Sequence, residues 1–155
     1  MNDLAQSMRQ IRVNLRPSRA GMQVASVFLH TSGQHGPEGL LERLNNQEPF
    51  LPLKGEDGQV RLVAKSRIAA FECIEEPDEL VSLRELLPST AAVRIHMRDG
   101  STFEGDLMLL LPGAHHRVLD FLNEPGRFFL LVRPAGTCFV NKDWIDFVNP
   151  APETP

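Results

Sequence analysis

The segment Arg117-Val-Leu-Asp-Phe-Leu-Asn123 decides the fold, because it repeats Gly39-Leu-Leu-Glu-Arg-Leu-Asn45 without a gap. Apolar residues occupy the second, third and sixth positions of both segments, an acidic residue occupies the fourth, and asparagine ends both. A phenylalanine follows five residues after each asparagine, at Phe50 and Phe128. Such internal similarity predicts an architecture built from two related units.

Three further blocks of the chain match in the same order. They pair Ile11-Arg-Val-Asn-Leu-Arg16 with Val93-Arg-Ile-His-Met-Arg98, Leu51-Pro-Leu53 with Phe129-Leu-Leu131, and Val63-Ala-Lys-Ser-Arg-Ile68 with Val140-Asn-Lys-Asp-Trp-Ile145. Agreement at four ordered blocks is not expected by chance. We therefore interpret the chain as two diverged copies of a unit of roughly 60 residues, a size that is marginally stable alone.

Each copy is predicted to run β-β-α-β-β-β. The first strand alternates apolar and polar residues, as a strand with one buried face does. Asp99-Gly100 predicts a hairpin turn, and Pro17-Ser18 takes that place in the first copy. The predicted helices lie near 38–46 and 115–124, and the later strands near 50–54, 59–65, 67–73, 128–133, 137–141 and 144–148.

The domain organisation follows from these elements. Repeat 1 covers residues 1–73 and repeat 2 covers residues 92–149, with an acidic linker at 74–91 and a disordered tail at 150–155. Pro77 suits the start of a helix and Pro88 its end, so the linker is predicted to be helical.

Repeat 2 resembles the Sm-like family of small SH3-like barrels. The resemblance is carried by Val93-Arg-Ile-His-Met-Arg-Asp-Gly100, Phe103-Glu-Gly105 and Val140-Asn-Lys-Asp-Trp-Ile145. The helix with Arg117, Asp120, Leu122 and Asn123 is similar to a bacterial domain with an R-x-x-D-x-L-N signature. The resemblance covers most of repeat 2, and repeat 1 only through the internal similarity.

The fold class expected from the repeat and the resemblance is mainly β. It consists of two pseudo-symmetric five-stranded SH3-like or Sm-like barrel units, each with one short helix, bridged by a helix. For function, the resemblance implies RNA binding. A fold by itself does not assign a function, so the residues must be considered separately.

Composition narrows the function classes. The 155 residues carry a net charge of −4, which argues against a surface that attracts nucleic acid everywhere. Cys73 and Cys138 are far apart, and the first residues lack a signal-peptide pattern, so we expect reduced core thiols in a cytoplasmic protein. No apolar run approaches the ~20 residues of a membrane helix.

No catalytic, cofactor or metal motif is expected from the sequence. Neither a Gly-x-Ser-x-Gly element nor an HExxH element occurs, so we predict a protein that is not an enzyme. His115-His116 and His35 lack the spacing of metal ligands and are predicted to lie on the surface. The glycine-rich loop 33–39 does not have phosphate-loop spacing and is predicted to be flexible.

Two arginine stripes are the candidate anion-binding residues: Arg12, Arg16, Arg94 and Arg98. They alternate with apolar residues on the first strand of each repeat, so they share one face. One interpretation is a nucleic-acid or acidic-protein surface, whose affinity would fall with salt. The other is a solvated outer face whose charges discourage strand pairing.

Two strands are apolar at every position, and they supply the candidate partner-binding residues. Leu107-Met-Leu-Leu-Leu111 and Phe128-Phe-Leu-Leu-Val132 do not alternate, so both faces of each strand need cover. Repeat 1 can cover part of these strand faces. A protein partner or a second copy of the chain would cover the remainder. The candidates are Leu107, Leu109, Leu111, Phe128, Phe129 and Trp144, the last being equally suited to the core.

The function expected from the sequence is a non-enzymatic adaptor or accessory subunit of a bacterial protein assembly. It would bind protein partners or itself through the apolar strands of repeat 2. The alternative is an Sm-like nucleic-acid-binding module that uses the arginine stripes.

Overall fold

The computed structural model describes residues 8–30, 39–75, 89–109 and 116–150, and within these ranges it is mainly β, as predicted. The ten strands are β1 (Met8–Arg19), β2 (Met22–His30), β3 (Phe50–Gly55), β4 (Val60–Ala64), β5 (Ala70–Cys73), β6 (Ser89–Met97), β7 (Thr102–Leu109), β8 (Phe128–Arg133), β9 (Gly136–Asn141) and β10 (Ile145–Pro150). The two short helices are α1 (Leu40–Asn45) and α2 (His116–Leu122), and 3-10 turns span Lys65–Arg67 and Lys142–Trp144.

All ten strands belong to one antiparallel sheet. Their order is β10-β6-β7-β8-β9-β5-β1-β2-β3-β4. Residues 8–75 therefore contribute the order β5-β1-β2-β3-β4, and residues 89–150 contribute β10-β6-β7-β8-β9. In each half the last strand lies beside the first, and the halves meet where β5 pairs with β9.

Two apolar clusters form the core, and the strands at the junction contribute to both. Phe128 and Leu130 of β8 pack into the first cluster, which consists mainly of residues from 8–75. Phe129 and Leu131 of the same strand pack into the second cluster, which consists mainly of residues from 89–150. Because successive side chains point to opposite faces, a strand between two cores must be apolar at every position.

The first hairpin differs from the prediction. Strand β1 continues to Arg19, and the turn is made by Ala20 and Gly21 instead of Pro17-Ser18. Both turn residues have positive φ, of 52° and 77°, which glycine adopts at little cost. The strand shifts register against β2 between Asn14 and Arg19, so Pro17 lies in an irregular stretch that tolerates a missing N–H.

The boundaries of the two halves are shifted slightly from those predicted. Strand β6 begins at Ser89, so residues 89–91 belong to the sheet and not to the linker. The predicted linker helix, residues 77–87, lies outside the described residues, as does the tail beyond Pro150. In the described ranges, neither helix has the length and apolar character needed to cross a membrane.

Candidate functional site

The apolar residues predicted to bind a partner are enclosed by the chain itself. Leu107, Leu109, Phe128 and Phe129 are each at most 6% exposed. The expectation that these strands need an external partner is therefore wrong, because the two halves of one chain cover both of their faces. Leu111 lies outside the described residues.

Trp144 is neither a core residue nor a free anchor. It is partly buried against the second cluster, and its indole N–H donates a 2.8 Å hydrogen bond to the main-chain oxygen of Ser66. The guanidinium of Arg19 lies 6.0 Å from the centre of its ring, at the limit of a cation–π contact. Trp144 thus ties the 3-10 turn of one half to that of the other.

The arginines of the predicted stripes are exposed, but they do not form one continuous surface. Arg94 pairs with Glu104 at 2.6 Å, while a guanidinium nitrogen of Arg98 donates to the main-chain oxygen of Asp143 at 2.9 Å. Arg12 is exposed on β1, in the other half of the sheet. Partners on a neighbouring strand and in the second 3-10 turn therefore engage part of the charge that was expected to bind anions.

The strand pairing also shows that the two stripes are not in equivalent positions. When Ile68 is matched with Ile145, Phe71 corresponds to Val148. Phe71 pairs with Leu15, and Val148 pairs with Ile95. Leu15 therefore corresponds to Ile95 and not to Met97, so the sequence alignment of the first strands is displaced by two residues.

Arg16 belongs to an ion-pair network that joins the halves. Its guanidinium lies 2.7 Å from Glu72, and Arg133 of the second half lies 2.6 Å from the other carboxylate oxygen. Partial burial alone would raise the pKa of Glu72, but the hydrogen bonds from Arg133 and Arg16 outweigh it and hold the pKa below its ordinary value. Arg16 is thus a structural cation at the junction.

A second group of arginines surrounds a groove beside Trp144. We call it the basic groove: Ser66, Arg67, Arg98, Asp99 and Trp144 line a volume of about 550 Å³, and Arg19 lies over the tryptophan ring. The Nε of Arg19 donates to the main-chain oxygen of Arg67 at 2.9 Å. Hydrogen bonds from Ser101 lower the pKa of Asp99, so a carboxylate charge also faces this groove.

Sequence reasoning missed Arg19 and Arg67 as groove residues. A signal was present, because Arg67 and Trp144 take the same place in the matched blocks ending at Ile68 and Ile145. The groove itself depends on the docking of the two halves, which brings residues 66–67 beside residue 144. Local patterns do not specify that approach.

The outer strands of the sheet carry exposed apolar side chains. Phe50, Val60 and Leu62 lie at one end of the sheet, on β3 and β4, and are 56%, 53% and 72% exposed. Phe147 lies on β10 at the opposite end and is 49% exposed, with its ring stacked on His96 at a centroid distance of 4.1 Å. Within the described ranges, no strand pairs with the outer side of β4 or β10.

The repeated asparagines have different surroundings. The side chain of Asn45 accepts from the main-chain N–H of Phe128 at 2.8 Å and donates to its oxygen at 3.0 Å. Asn45 therefore fixes α1 to β8 across the junction. The matching Asn123 is exposed at the end of α2.

The thiols and histidines give no indication of chemistry. Cys138 is buried, and that burial raises its pKa to about 12, so a thiolate is disfavoured. Cys73 is partly buried. Among the described residues no three His, Cys, Asp or Glu side chains are arranged to hold a metal ion; His35 and His115 lie outside these residues.

Comparison with protein-family models, curated proteins and solved structures found no match to this chain.

Proposed function

We propose that this chain is a non-enzymatic assembly protein, an adaptor or accessory subunit that binds protein through the two outer edges of its sheet. The observation that carries the proposal is the location of its exposed apolar residues. Of the six large apolar side chains exposed in the described part of the chain, four lie on β3, β4 or β10.

The physics of sheet edges supports this function. An outer strand presents unpaired N–H and C=O groups that can accept a further strand, and side chains on alternate positions give that pairing specificity. Soluble proteins usually protect such strands with charge or proline. Here Leu62 on the edge strand β4 is 72% exposed, and Phe147 on the opposite edge strand β10 is 49% exposed.

Two features support a role without catalysis. The carboxylate most engaged with arginines, Glu72, spans two cations that belong to different halves, which is a structural arrangement. The more buried thiol, Cys138, has a raised pKa and is poorly suited to act as a nucleophile.

Affinity purification of the tagged chain from its native cells, at low and at high salt, tests this function. We expect bound proteins that persist at high salt, because apolar strand pairing is not screened by ions. Leu62→Glu and Phe147→Glu should lose them, while Ile74→Glu, a change at a 39% exposed isoleucine that follows the central strand β5, should retain them. Equal retention by all three variants contradicts the proposal.

The basic groove favours a second candidate function, binding of a single-stranded nucleic acid. Three arginines beside one aromatic ring provide the charge and the stacking platform that such binding uses. Arg67→Ala and Arg98→Ala should then weaken binding of a labelled RNA oligonucleotide and reduce its salt dependence. Arg94→Ala, whose arginine pairs with Glu104 outside the groove, is the matched control. Identical salt-dependent binding by all variants would exclude the groove.

A further inference from the structure

Among the described residues, the strands at the two outer edges of the sheet are counterparts of the two strands that join inside the molecule. The internal junction pairs β5, the last strand of residues 8–75, with β9, the fourth strand of residues 89–150. The strand left at one end of the sheet is β4, the fourth of the first half. The strand left at the other end is β10, the last of the second half.

The internal junction shows how such strands fit together. Ala70 lies opposite Val140, Phe71 opposite Phe139, and Glu72 opposite Cys138. One further main-chain hydrogen bond extends the pairing, from the N–H of Asn141 to the oxygen of Ala69 at 2.8 Å. The contact is heterologous, since each half uses a different edge.

Residues that are buried at the internal junction have counterparts that are exposed at the outer edges. This contrast is expected if the outer edges form a second junction of the same kind with another molecule. Phe139 of β9 is fully buried at the internal junction, whereas its counterpart on β4, Leu62, is 72% exposed. Phe128 is 2% exposed, whereas its counterpart Phe50 is 56% exposed.

The last strands show the same contrast. Ala70 of β5 is fully buried, whereas its counterpart on β10, Phe147, is 49% exposed. Apolar residues are therefore retained at both outer edges, at the positions that the inner junction buries.

We propose that the partner of each edge is a second copy of this chain, with β4 of one molecule pairing antiparallel with β10 of the next. This inference rests on the proposed function, since it identifies the protein that the edges bind. By the register of the inner junction, Phe147 lies opposite Val63, and Val148 lies opposite Leu62. A heterologous contact leaves one free edge at each end, so it grows into a ring or an open filament.

A helix contact accompanies the strands in the same arrangement. Inside the molecule, the Asn45 side chain makes two hydrogen bonds to the main chain of Phe128 beside the junction. The matching Asn123 is exposed, as is Phe50, the counterpart of Phe128. In the head-to-tail complex Asn123 of one copy therefore bonds to the main chain of Phe50 in the next.

Sedimentation velocity of the purified full-length chain, its edge variants and their mixtures tests the inference. We expect the wild type to form species larger than a monomer. Leu62→Glu and Phe147→Glu, each alone, should weaken self-association at least tenfold, about 1.4 kcal/mol by the conversion of Kd to free energy. Ile74→Glu, a change at a 39% exposed isoleucine that follows the central strand β5, should associate like the wild type. Far-ultraviolet circular dichroism confirms that each variant is folded.

An equimolar mixture of the two edge variants provides the decisive measurement. The Phe147→Glu chain keeps an intact β4 and the Leu62→Glu chain keeps an intact β10, so one junction forms between them. We expect heterodimers and nothing larger. A mixture that stays monomeric, or one edge variant that self-associates as well as the wild type, overturns the head-to-tail arrangement.

The outcomes also separate this inference from the proposed function. A wild-type chain that stays monomeric, while its edges still capture other proteins from cell extract, overturns the head-to-tail inference and leaves the proposed function standing. If the wild-type chain is monomeric and the edge variants capture the same proteins from cell extract as the wild type, both the head-to-tail inference and the proposed function are overturned.

Discussion

At the scale of single residues, Glu72 makes the most consequential polar contacts. Its carboxylate accepts from Arg16 of β1 and from Arg133 of β8, so one anion joins strands of both halves. The side chains of Glu72 and Arg133 are only 12% and 17% exposed, and solvent screens them weakly. Removing the anion would leave a mostly buried cation without its partner, which is costly.

Glu72→Gln is therefore predicted to lower the free energy of unfolding at pH 7 by about 1–3 kcal/mol. Because the pKa of Glu72 is lower in the folded chain than its ordinary value of 4.5, its contribution is present above that pH. The contribution is lost as the pH falls through the folded-state pKa. Urea unfolding at several pH values measures both the difference and its disappearance in acid.

The exposed pair between Arg94 and Glu104 supplies the control for this measurement. Both side chains are more than half exposed, so the pair is screened by water and salt. Glu104→Gln should change the free energy of unfolding by less than about 1 kcal/mol. Equal losses for the two substitutions would contradict the role assigned to Glu72.

At the scale of elements, the two helices have similar sequences but different structural roles. Helix α1 buries Leu40 and Leu44 and reaches across the junction through Asn45. Helix α2 buries Val118 and leaves Leu119 and Asn123 exposed. The difference arises because α1 packs on β8 of the other half, whereas α2 packs on β7 of its own half.

Asn45→Ala is predicted to lower the free energy of unfolding by about 1–3 kcal/mol, because two hydrogen bonds to the main chain of Phe128 are lost. Asn123→Ala should change the stability of the monomer by less than about 0.5 kcal/mol, since its side chain is exposed. Urea unfolding of both variants at high dilution makes the comparison. A larger loss of unfolding free energy for Asn123→Ala than for Asn45→Ala would contradict these different roles.

At the scale of the whole molecule, the halves share their cores. The first cluster takes Phe128, Leu130 and Phe139 from residues 89–150, although most of its members come from residues 8–75. The second cluster takes Ala69 and Ala70 from the first half. Neither core is complete without the other half, so we expect one cooperative unfolding transition.

Phe139→Ala is predicted to destabilise the entire chain by about 3–5 kcal/mol, because it opens a cavity where the halves meet. Trp144 fluorescence, which reports on the contact between the halves, and far-ultraviolet circular dichroism should shift together on heating. Phe147→Ala, at a 49% exposed position, should have little effect on the monomer. Two separate transitions in the Phe139 variant would show that the halves unfold independently.

The sequence by itself determined the mainly β character, the short helices and the turn at Asp99-Gly100. These features depend on alternation, helical spacing and turn residues, which are properties of neighbours along the chain. Even here Pro17-Ser18 was misjudged as a turn, because the sheet could accommodate proline at an irregular position.

Only the tertiary structure decided which apolar residues are covered. The sequence correctly indicated that the strand starting at Phe128 needs cover on both faces, but it did not show that the other half provides it. It likewise did not reveal the partners of Glu72, which lie 56 and 61 residues away. Burial and ion pairing depend on residues that are distant in the chain, so they are determined only when the two halves pack together. The same packing leaves Leu62 and Phe147 exposed.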